Sequence, residues 1–373
     1  MARAAHSPRL APIPASLPDA VPFVGPETLE RLRGAPFRAR LGANENGFGP
    51  SHAALAAMAA ALPGIWKYGD PTSHDLRAAL ALHHGVTPEH VVVGEGIDAL
   101  LGLAVRLFVG PGDPVVTSDG GYPTFVYHVA GFGGVLHKVP YRDDRQDPEA
   151  LIATVARTGA RLVYLCNPDN PMGGWLEPGR IDTALAGLPD DCLLLLDEAY
   201  GEFAPALPRI DPDDPRVLRL RTFSKAYGMA GARIGYALGT PSVIRAFDRV
   251  RNHFGVNAIA QAGALAALQD GDWLDRTIGQ VAAARDRIAA IARDNGLTPL
   301  PSATNFVAID CGADGALARA VLSRLDADGI FVRMPWVAPQ DRCIRVSCGP
   351  EAELDALADA LPRALAAART DIA

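Results

Sequence analysis

Short, continuous runs of apolar residues alternate with helix-like segments along much of this chain, and this alternation constrains the fold more than any other feature. Four such runs are Val91–Val93, Pro114–Thr117, Arg161–Cys166 and Cys192–Leu196. Strands that are apolar at every position, rather than at every second one, are buried on both faces, as in parallel sheets covered by helices. The pattern therefore predicts an α/β fold with a doubly wound, mostly parallel sheet.

Helix-like segments separate these runs, and a different pattern begins near residue 266. Amphipathic or alanine-rich patterns predict helices at His52–Leu62, Ser73–His84, Gly96–Phe108 and Trp273–Asn295, the last ended by Gly296. The rest of the chain is typical of a smaller α+β unit, with elements at Asn305–Asp310, Gly315–Asp328, Gly329–Arg333 and Cys343–Ser347. We predict an N-terminal segment of residues 1–45 that joins the small domain, a large domain of residues 46–265, and a small C-terminal domain of residues 266–373.

Charge and cysteine content disfavour several classes of protein. The net charge is −7 and there is no basic block, which disfavours nucleic-acid binding. The five cysteines form no CxxC pair, so no metal site is predicted, and their scatter suits a reducing cytoplasm. No apolar run reaches the roughly 18–20 residues of a membrane helix. These features favour a cytoplasmic protein with neither a membrane nor a nucleic-acid partner.

One lysine lies in a segment with distinctive chemistry, residues 221–233. Lys225 directly follows Ser224, and Arg233 lies eight residues further on. A lysine that forms a Schiff base needs a fixed, partly desolvated amine, and Thr222, Ser224 and Arg233 suit an anionic phosphate beside it. Taken alone, however, an exposed lysine in a loop explains this segment equally well.

Glycines near two predicted strand ends favour a bulky anionic ligand. Gly94–Asp98 follows the run Val91–Val93 and opens a helix, so its free amides can bind an anion such as phosphate, although glycine turns open many ordinary helices. Gly228 and Gly231 follow the lysine and would let the backbone approach a bulky cofactor closely.

Polar side chains also follow strand ends, where ligands of open α/β sheets bind. Asp197 comes after four leucines and needs a cationic partner such as a protonated ring nitrogen; the alternative is a helix cap. Asn170 and Tyr200 can donate to a phenolate oxygen, although Asn170 also suits a simple turn. Together with Lys225 and the phosphate groups, these residues predict one ligand, pyridoxal 5'-phosphate (PLP).

In combination, these motifs resemble the fold-type I, class I/II aminotransferases, in particular the histidinol-phosphate aminotransferase-like branch. The resemblance covers about residues 18–365 and rests on Leu41–Ser51, Tyr68–Asp70, Gly94–Asp98, Tyr122–Phe125, Asn167–Gly173, Asp197–Tyr200, Ser224–Lys225 with Arg233, Asn305–Phe306, Gly329–Arg333 and Arg345–Gly349. It implies a seven-stranded sheet in a large PLP-binding domain, a smaller α+β domain, and a homodimer with active sites at its interface.

The resemblance also implies individual catalytic roles. Lys225 forms the Schiff base and then moves protons, while Asp197 holds the ring nitrogen. Asn170 and Tyr200 bind the ring oxygen. Tyr122 stacks on the ring, the alternative for it being a core aromatic.

Binding of the cofactor phosphate is assigned by the same resemblance. Tyr68 would reach the phosphate from the neighbouring subunit, the alternative being a buried aromatic near a domain edge. Within one subunit the phosphate would be held by Gly96, Ile97, Asp98, Thr222, Ser224 and Arg233.

For the substrate, the resemblance implies that Arg345 binds an anionic group. Arg333 is a second candidate for this role, and the alternative for Arg333 is an exposed ion pair at a strand end. Asn44, Glu45 and Phe48 fold over the substrate, and Asn170 contacts it. The expected reaction is ping-pong transfer of an amino group from histidinol phosphate, or from an aromatic or other L-amino acid, to a 2-oxo acid such as 2-oxoglutarate. The alternatives are a decarboxylase or lyase of the same fold, similar to threonine-phosphate decarboxylase, and a non-catalytic regulator.

Several positions depart from the usual family pattern. Gly47 replaces a proline, and Asp169 and Met172 replace an asparagine and a threonine. The phosphate turn has Ile97–Ala99 in place of Ser-Asp-Glu, and His253–Asn257 also differs. None of these changes removes a predicted catalytic group, but several lie near the substrate and leave its identity open.

Overall fold

The computed structural model describes residues 8–19 and 23–372, so part of the predicted N-terminal segment lies outside the described residues. Its helices are α1 Pro12–Ser16, α2 Pro26–Arg33, α3 His52–Ala61, α4 His74–His84, α5 Ile97–Phe108, α6 Pro123–Gly131, α7 Pro148–Thr158, α8 Pro178–Ala186, α9 Pro241–Phe247, α10 Ala258–Gln269, α11 Gly271–Asp294, α12 Gly315–Ala327 and α13 Glu351–Asp371. Its strands are β1 Ala39–Arg40, β2 Val91–Gly94, β3 Pro114–Ser118, β4 Val135–Val139, β5 Leu162–Cys166, β6 Leu193–Asp197, β7 Val217–Thr222, β8 Gly235–Leu238, β9 Thr298–Pro299, β10 Phe306–Asp310, β11 Ile330–Phe331 and β12 Cys343–Ser347.

Seven strands form the central sheet in the order β2-β8-β7-β6-β5-β3-β4. The pairs from β7 through β4 are parallel, and only β8 runs antiparallel to its neighbours β2 and β7. The α/β class and the mostly parallel, seven-stranded sheet are therefore confirmed. Because β5, β6 and β7 are parallel neighbours, their carboxyl ends meet at one edge of the sheet, where a ligand site is expected.

Both faces of the sheet are covered. Along β5 and β6, Leu162, Tyr164 and Leu195 pack into one buried cluster with α5, α6 and α9. The alternate residues, including Val163 and Leu194, pack into a second cluster with α7 and α8. Burial on both sides explains why these strands have no polar alternation in the sequence.

A second unit packs around the antiparallel sheet β12-β10-β9 and the parallel pair β1-β11. Its core draws on α11, α12 and α13 and also includes Ala39 and Leu41 from the N-terminal segment. The N-terminal strand thus pairs with this smaller unit. The boundary predicted at residue 265 falls inside α10, whose residues Ala260 and Ala264 pack with the large unit.

The elements differ from the predictions in a few places. The proline-rich sequence of residues 1–40 predicts one short helix, near Glu27–Arg33, but the structure has α1 as well as α2, since proline is tolerated in the first helical turn. The strand expected over Gly329–Arg333 is shorter, Ile330–Phe331. Most other ends shift by one or two residues, and Gly296 follows α11 with a φ of 70°, as a C-terminal glycine should.

All five cysteines are free and buried. Within residues 8–19 and 23–372, each helix is too short or too polar to cross a membrane.

Candidate active site

A cavity of about 450 Å³ lies where the carboxyl ends of β5, β6 and β7 meet the smaller unit. Most side chains predicted for the site line it: Asn44, Glu45, Ile97, Asp98, Tyr122, Asn170, Asp197, Tyr200, Thr222, Ser224, Lys225, Arg233, Arg333 and Arg345. Residues more than 300 positions apart thus face one space, which agrees with the expectation that ligands bind at the carboxyl ends of the strands.

Lys225 lines this cavity and is partly buried, so it is not the exposed loop lysine of the alternative interpretation. Its Nζ donates a hydrogen bond to the backbone oxygen of Asn44 at 2.9 Å. Burial, aided by the positive charge of Arg345, lowers the pKa of Lys225 to about 8. Asn46 fixes the lysine backbone, because its Nδ2 donates to the oxygens of Lys225 and Ala226. The structure therefore holds a desolvated amine at a fixed position, as nucleophilic attack on an aldehyde requires.

Asp197 ends strand β6 as a buried carboxylate. Its Oδ2 accepts from the hydroxyl of Tyr164 at 2.7 Å, and its Oδ1 accepts from the backbone N–H of Ala199 at 2.9 Å. Burial raises the pKa of Asp197 to about 6, because among the described residues no cation pairs with it. Such a carboxylate fits a protonated ring nitrogen, which would supply the missing positive charge.

Tyr200 and Asn44 connect the two units at the cavity. The Tyr200 hydroxyl accepts from Asn44 Nδ2 at 3.0 Å, and the Ser347 hydroxyl donates to Asn44 Oδ1 at 3.1 Å. Asn44 has a φ of 54°, a conformation that asparagine tolerates better than most residues. These contacts, with the hydrogen bond from Lys225, hold the N-terminal segment over the lysine.

An anion-binding pocket forms at the start of α5. Gly96 has a φ of 85°, which favours glycine, and the Arg233 guanidinium lies close to it, 2.8 Å from where a Cβ would be. The hydroxyls of Thr222 and Ser224 lie 3.0 Å apart beside it. Free amides at a helix N-terminus, two hydroxyls and a guanidinium form a donor set that fits a phosphate group.

Asp98 and Tyr122 form one wall of this pocket. The Tyr122 hydroxyl donates to Asp98 Oδ1 at 2.7 Å, and Asp98 Oδ2 lies 3.8 Å from Arg233 Nη2. Tyr122 is therefore not a core aromatic: its ring lines the cavity with a fixed orientation. The Asp98 side chain, for which only a backbone role was expected, orients both neighbours.

Two arginines from the smaller unit also line the cavity. Arg333 and Arg345 are paired in an antiparallel bridge, with backbone hydrogen bonds of 3.2 and 2.6 Å. Arg345 donates to Asn170 Oδ1 at 2.6 Å, and Arg333 donates to the backbone oxygen of Val24 at 2.6 Å. Among the described residues, neither forms a salt bridge with a carboxylate, so the exposed ion pair considered for Arg333 is wrong.

Burial lowers the pKa of Arg345 to about 10, and the charge of Arg333 adds to this effect. Burial also lowers the pKa of Arg333. A pair of desolvated cations with no anionic partner is costly unless a ligand supplies the negative charge. This side of the cavity therefore suits an anionic substrate group.

Some predicted residues lie elsewhere. Phe48 packs on the core of the smaller unit instead of lining the cavity. Tyr68 is exposed, which excludes the buried aromatic considered for it, and it is outside the cavity of its own chain. Gly228 approaches the backbone of Gly49 and not the cavity, and a Cβ on Gly231 would meet no described atom within 4 Å. The explanation offered for these two glycines was wrong.

Other residues at the site were not predicted. Tyr164 orients Asp197, and a hydroxyl-bearing residue within the apolar run Leu162–Cys166 was a usable signal. Phe23 and Trp336 line the cavity mouth, but no local pattern distinguishes them from surface aromatics. Their position depends on the packing of distant segments.

Fold and site together define a fold-type I, PLP-dependent transferase. The family model for aminotransferase class I and II matches residues 39–361. The chain belongs to this family and catalyses PLP-dependent transamination between small-molecule substrates.

Named relatives extend the comparison. The histidinol-phosphate aminotransferase of Moorella thermoacetica is 33% identical over 347 residues, covering 91% of this chain and 89% of the relative. Histidinol-phosphate aminotransferase 1 of Mesorhizobium japonicum is 36% identical, covering 91% and 93%. A crystal structure of histidinol-phosphate aminotransferase from Sinorhizobium meliloti in complex with pyridoxal-5'-phosphate is 55% identical, covers 99% of this chain and 100% of that chain, and superposes with a TM-score of 0.94. The decarboxylase alternative is not favoured by these relatives.

Proposed function

We propose that this enzyme takes its amino group from histidinol phosphate and passes it to 2-oxoglutarate. The observation that carries the proposal is the pair of half-buried arginines, Arg333 and Arg345, which are bridged through their backbones, line one cavity and have no carboxylate partner among the described residues. Two adjacent cations match a phosphate dianion, and they also match the two carboxylates of 2-oxoglutarate. The names of the similar proteins support the same donor.

The residues of the cavity fit the cofactor in distinct ways. Thr222, Ser224, Arg233 and the amides of Ile97 and Asp98 would hold its phosphate. Asp197 would hold the proton of the ring nitrogen, and Tyr200 with Asn170 would contact the ring oxygen. Bound PLP supplies an aldehyde that accepts the amino group and a ring that withdraws electrons from the substrate Cα.

Proton transfer is assigned to Lys225. Its amine, with a pKa lowered to about 8, is a base of suitable strength near neutral pH once it is released from the cofactor. Tyr164 keeps Asp197 oriented through the 2.7 Å hydrogen bond. Arg345 and Arg333 fix the anionic end of the substrate, so the Cα proton lies within reach of the lysine.

We also propose a cytoplasmic homodimer in which Tyr68 reaches the phosphate site of the partner. Tyr68 packs its ring against Phe254, with centroids 4.8 Å apart, and the adjacent Ile65 and Trp66 are exposed as well. Contiguous exposed apolar residues of this kind mark an interface in many proteins. The Tyr68 hydroxyl would then complete the donor set of the neighbouring cavity.

The experiment is a half-reaction measured by absorbance. PLP-loaded enzyme is mixed separately with L-histidinol phosphate, L-histidinol, L-histidine and L-phenylalanine, and conversion to the pyridoxamine form is followed. We expect histidinol phosphate to react at the lowest concentration and histidinol, which lacks the phosphate, to require at least about 100-fold more, since a lost charge-assisted contact costs about 1.5–3 kcal/mol and two are removed. Faster conversion by phenylalanine would contradict the proposed donor.

Arginine variants test which side chains bind the anionic group of the substrate. Arg333→Met and Arg345→Met should each raise the KM for histidinol phosphate by about 10-fold or more while PLP still binds. The matched control is Arg287→Met, because Arg287 is exposed and pairs with Asp355 on the surface, away from the cavity. Unchanged KM values in both cavity variants would contradict the role of the arginine pair.

A further inference from the structure

Asp169, one of the positions that departs from the family pattern, is a buried carboxylate behind the cavity. Its Oδ1 accepts from the Tyr141 hydroxyl at 2.9 Å and from Gln146 Nε2 at 2.6 Å. Its Oδ2 accepts from the backbone N–H of Met172 at 3.1 Å. Burial raises the pKa of Asp169 to about 6, so the side chain is ionised at neutral pH and can only accept hydrogen bonds.

The surroundings of Asp169 are built for a carboxylate. Tyr141 and Gln146, from one segment, and the backbone amide of Met172, from the turn of Asp169 itself, all direct donors at it. Asparagine, the usual residue here, has only one acceptor oxygen, so its NH2 group would face a donor in this arrangement. The substitution to aspartate is therefore matched by its neighbours and is not a neutral change.

The turn that contains Asp169 also contains Asn170, which contacts Arg345. Backbone hydrogen bonds close the turn, from Asp169 N to Gly174 O at 2.7 Å and from Gly173 N to Asp169 O at 3.1 Å. Asn170 Oδ1 then accepts from Arg345 Nη1 at 2.6 Å. Anchoring of Asp169 thus fixes the oxygen that orients the guanidinium.

The segment that holds Asp169 is in turn tied to the smaller unit. Arg342, three residues before Arg345, contacts Asp144 at 2.7 Å and Asp310 at 2.7 Å. Asp144 lies between Tyr141 and Gln146 in sequence, so the same segment contacts both the turn at Asp169 and the strand that carries Arg345. The two ends of the Asn170–Arg345 contact are therefore held by one connected set of hydrogen bonds.

We propose that Asp169 is a positioning residue for substrate binding: its carboxylate, held by Tyr141 and Gln146, sets Asn170 so that Arg345 presents its guanidinium to the anionic group of the substrate. Asp169 is buried and does not line the cavity, so its expected effect on the substrate passes through Asn170 and Arg345. This role rests on the proposed function of Arg345 as the anion-binding group.

The test compares four holoenzyme variants by KM, kcat and PLP affinity, with histidinol phosphate and with 2-oxoglutarate. Asp169→Ala and Asp169→Asn should raise KM about 10-fold and about 3- to 5-fold, with kcat within about twofold and PLP affinity unchanged. Asp169→Asn combined with Gln146→Glu exchanges the amide and the carboxylate, so that the new amide can donate to Glu at position 146 and the Tyr141 hydroxyl can accept from it. This double variant should restore KM to within about twofold of the wild type.

The control is Asp147→Asn. Asp147 is equally buried, but it caps α7 through Ala150 and pairs with Arg142, so its loss should lower thermal stability without changing KM. The proposal would be overturned if the Asp169 variants changed kcat and PLP affinity as much as KM. It would also be overturned if the double variant did not restore KM. If the wild type does not convert histidinol phosphate, the proposed function is wrong, while the KM for 2-oxoglutarate still tests Asp169.

Discussion

Lys225 shows how burial makes an ordinary side chain reactive. Its amine is enclosed by residues from both units and is held by the backbone oxygen of Asn44. An ammonium ion loses hydration when it is buried, and this loss, together with the positive charge of Arg345, lowers the pKa of Lys225 to about 8. A lysine on the surface would be almost fully protonated at neutral pH and a poor nucleophile.

This pKa predicts how cofactor loading depends on pH. Only the free amine attacks the PLP aldehyde, so the rate of reconstitution of the apoenzyme should rise as the pH increases through about 8 and level off above it. Removal of the nearby cation in Arg345→Met should move the midpoint to higher pH, whereas Arg287→Met should not. The rate is measured by stopped-flow absorbance, and a pH-independent rate between 6 and 9 would contradict the lowered pKa.

At the scale of elements, the neighbouring strands β6 and β7 place two reacting groups at one edge of the sheet, because Asp197 ends β6 and Lys225 follows β7. Behind the site, a buried set of alternating charges joins their ends: Glu198 contacts Arg219 at 2.9 Å, and Arg221 contacts Glu202 at 2.7 Å. After β7, the turn that follows Lys225 packs tightly on the loop that contains Gly49. A Cβ on Gly228, which has a φ of 68°, would lie 2.4 Å from the backbone of Gly49.

Two glycines of this turn therefore make a matched pair of variants. Gly228→Ala should lower the free energy of unfolding by more than about 1 kcal/mol and weaken PLP retention, because it forces the segment around Gly49 away from the lysine. Gly231→Ala has open space and should change stability by less than about 1 kcal/mol. Denaturant unfolding and PLP release give the two values, and equal behaviour of the variants would refute this account of the turn.

At the scale of the molecule, one exposed apolar patch is not explained by a single chain. Trp66 and Tyr68 are 82% and 84% exposed, and Ile65 and Phe254 lie with them. Large apolar side chains that are clustered and exposed lower the free energy of association when a second copy covers them. The patch is defined by Ile65, Trp66, Tyr68 and Phe254, and it fits the proposed homodimer.

Charge placed in this patch should separate the subunits. Trp66→Glu should shift the protein toward monomers in sedimentation experiments and weaken PLP binding, since the proposed contact from the partner's Tyr68 is lost with the interface. Leu82→Glu is the control, because Leu82 is 85% exposed but lies outside the patch. A wild-type monomer that binds PLP tightly would contradict the proposed dimer.

The sequence by itself determined the local structure and the identity of the reacting groups. Apolar runs without alternation indicated strands covered on both faces, and the polar residues at their ends, such as Asp197 and the Ser224–Lys225 pair, indicated the cofactor. These features depend on periodicity and on residue chemistry over short distances along the chain. They can therefore be recognised in the sequence before the fold is known.

Only the tertiary structure decided the contacts between distant segments. The oxygen of Asn44 reaches Lys225 across 181 positions, and the Asn170–Arg345 contact joins residues 175 positions apart. The bridge that sets Arg333 beside Arg345 also depends on the packing of the smaller unit. Such contacts form where buried surfaces fit and buried donors find acceptors, and no local pattern encodes them.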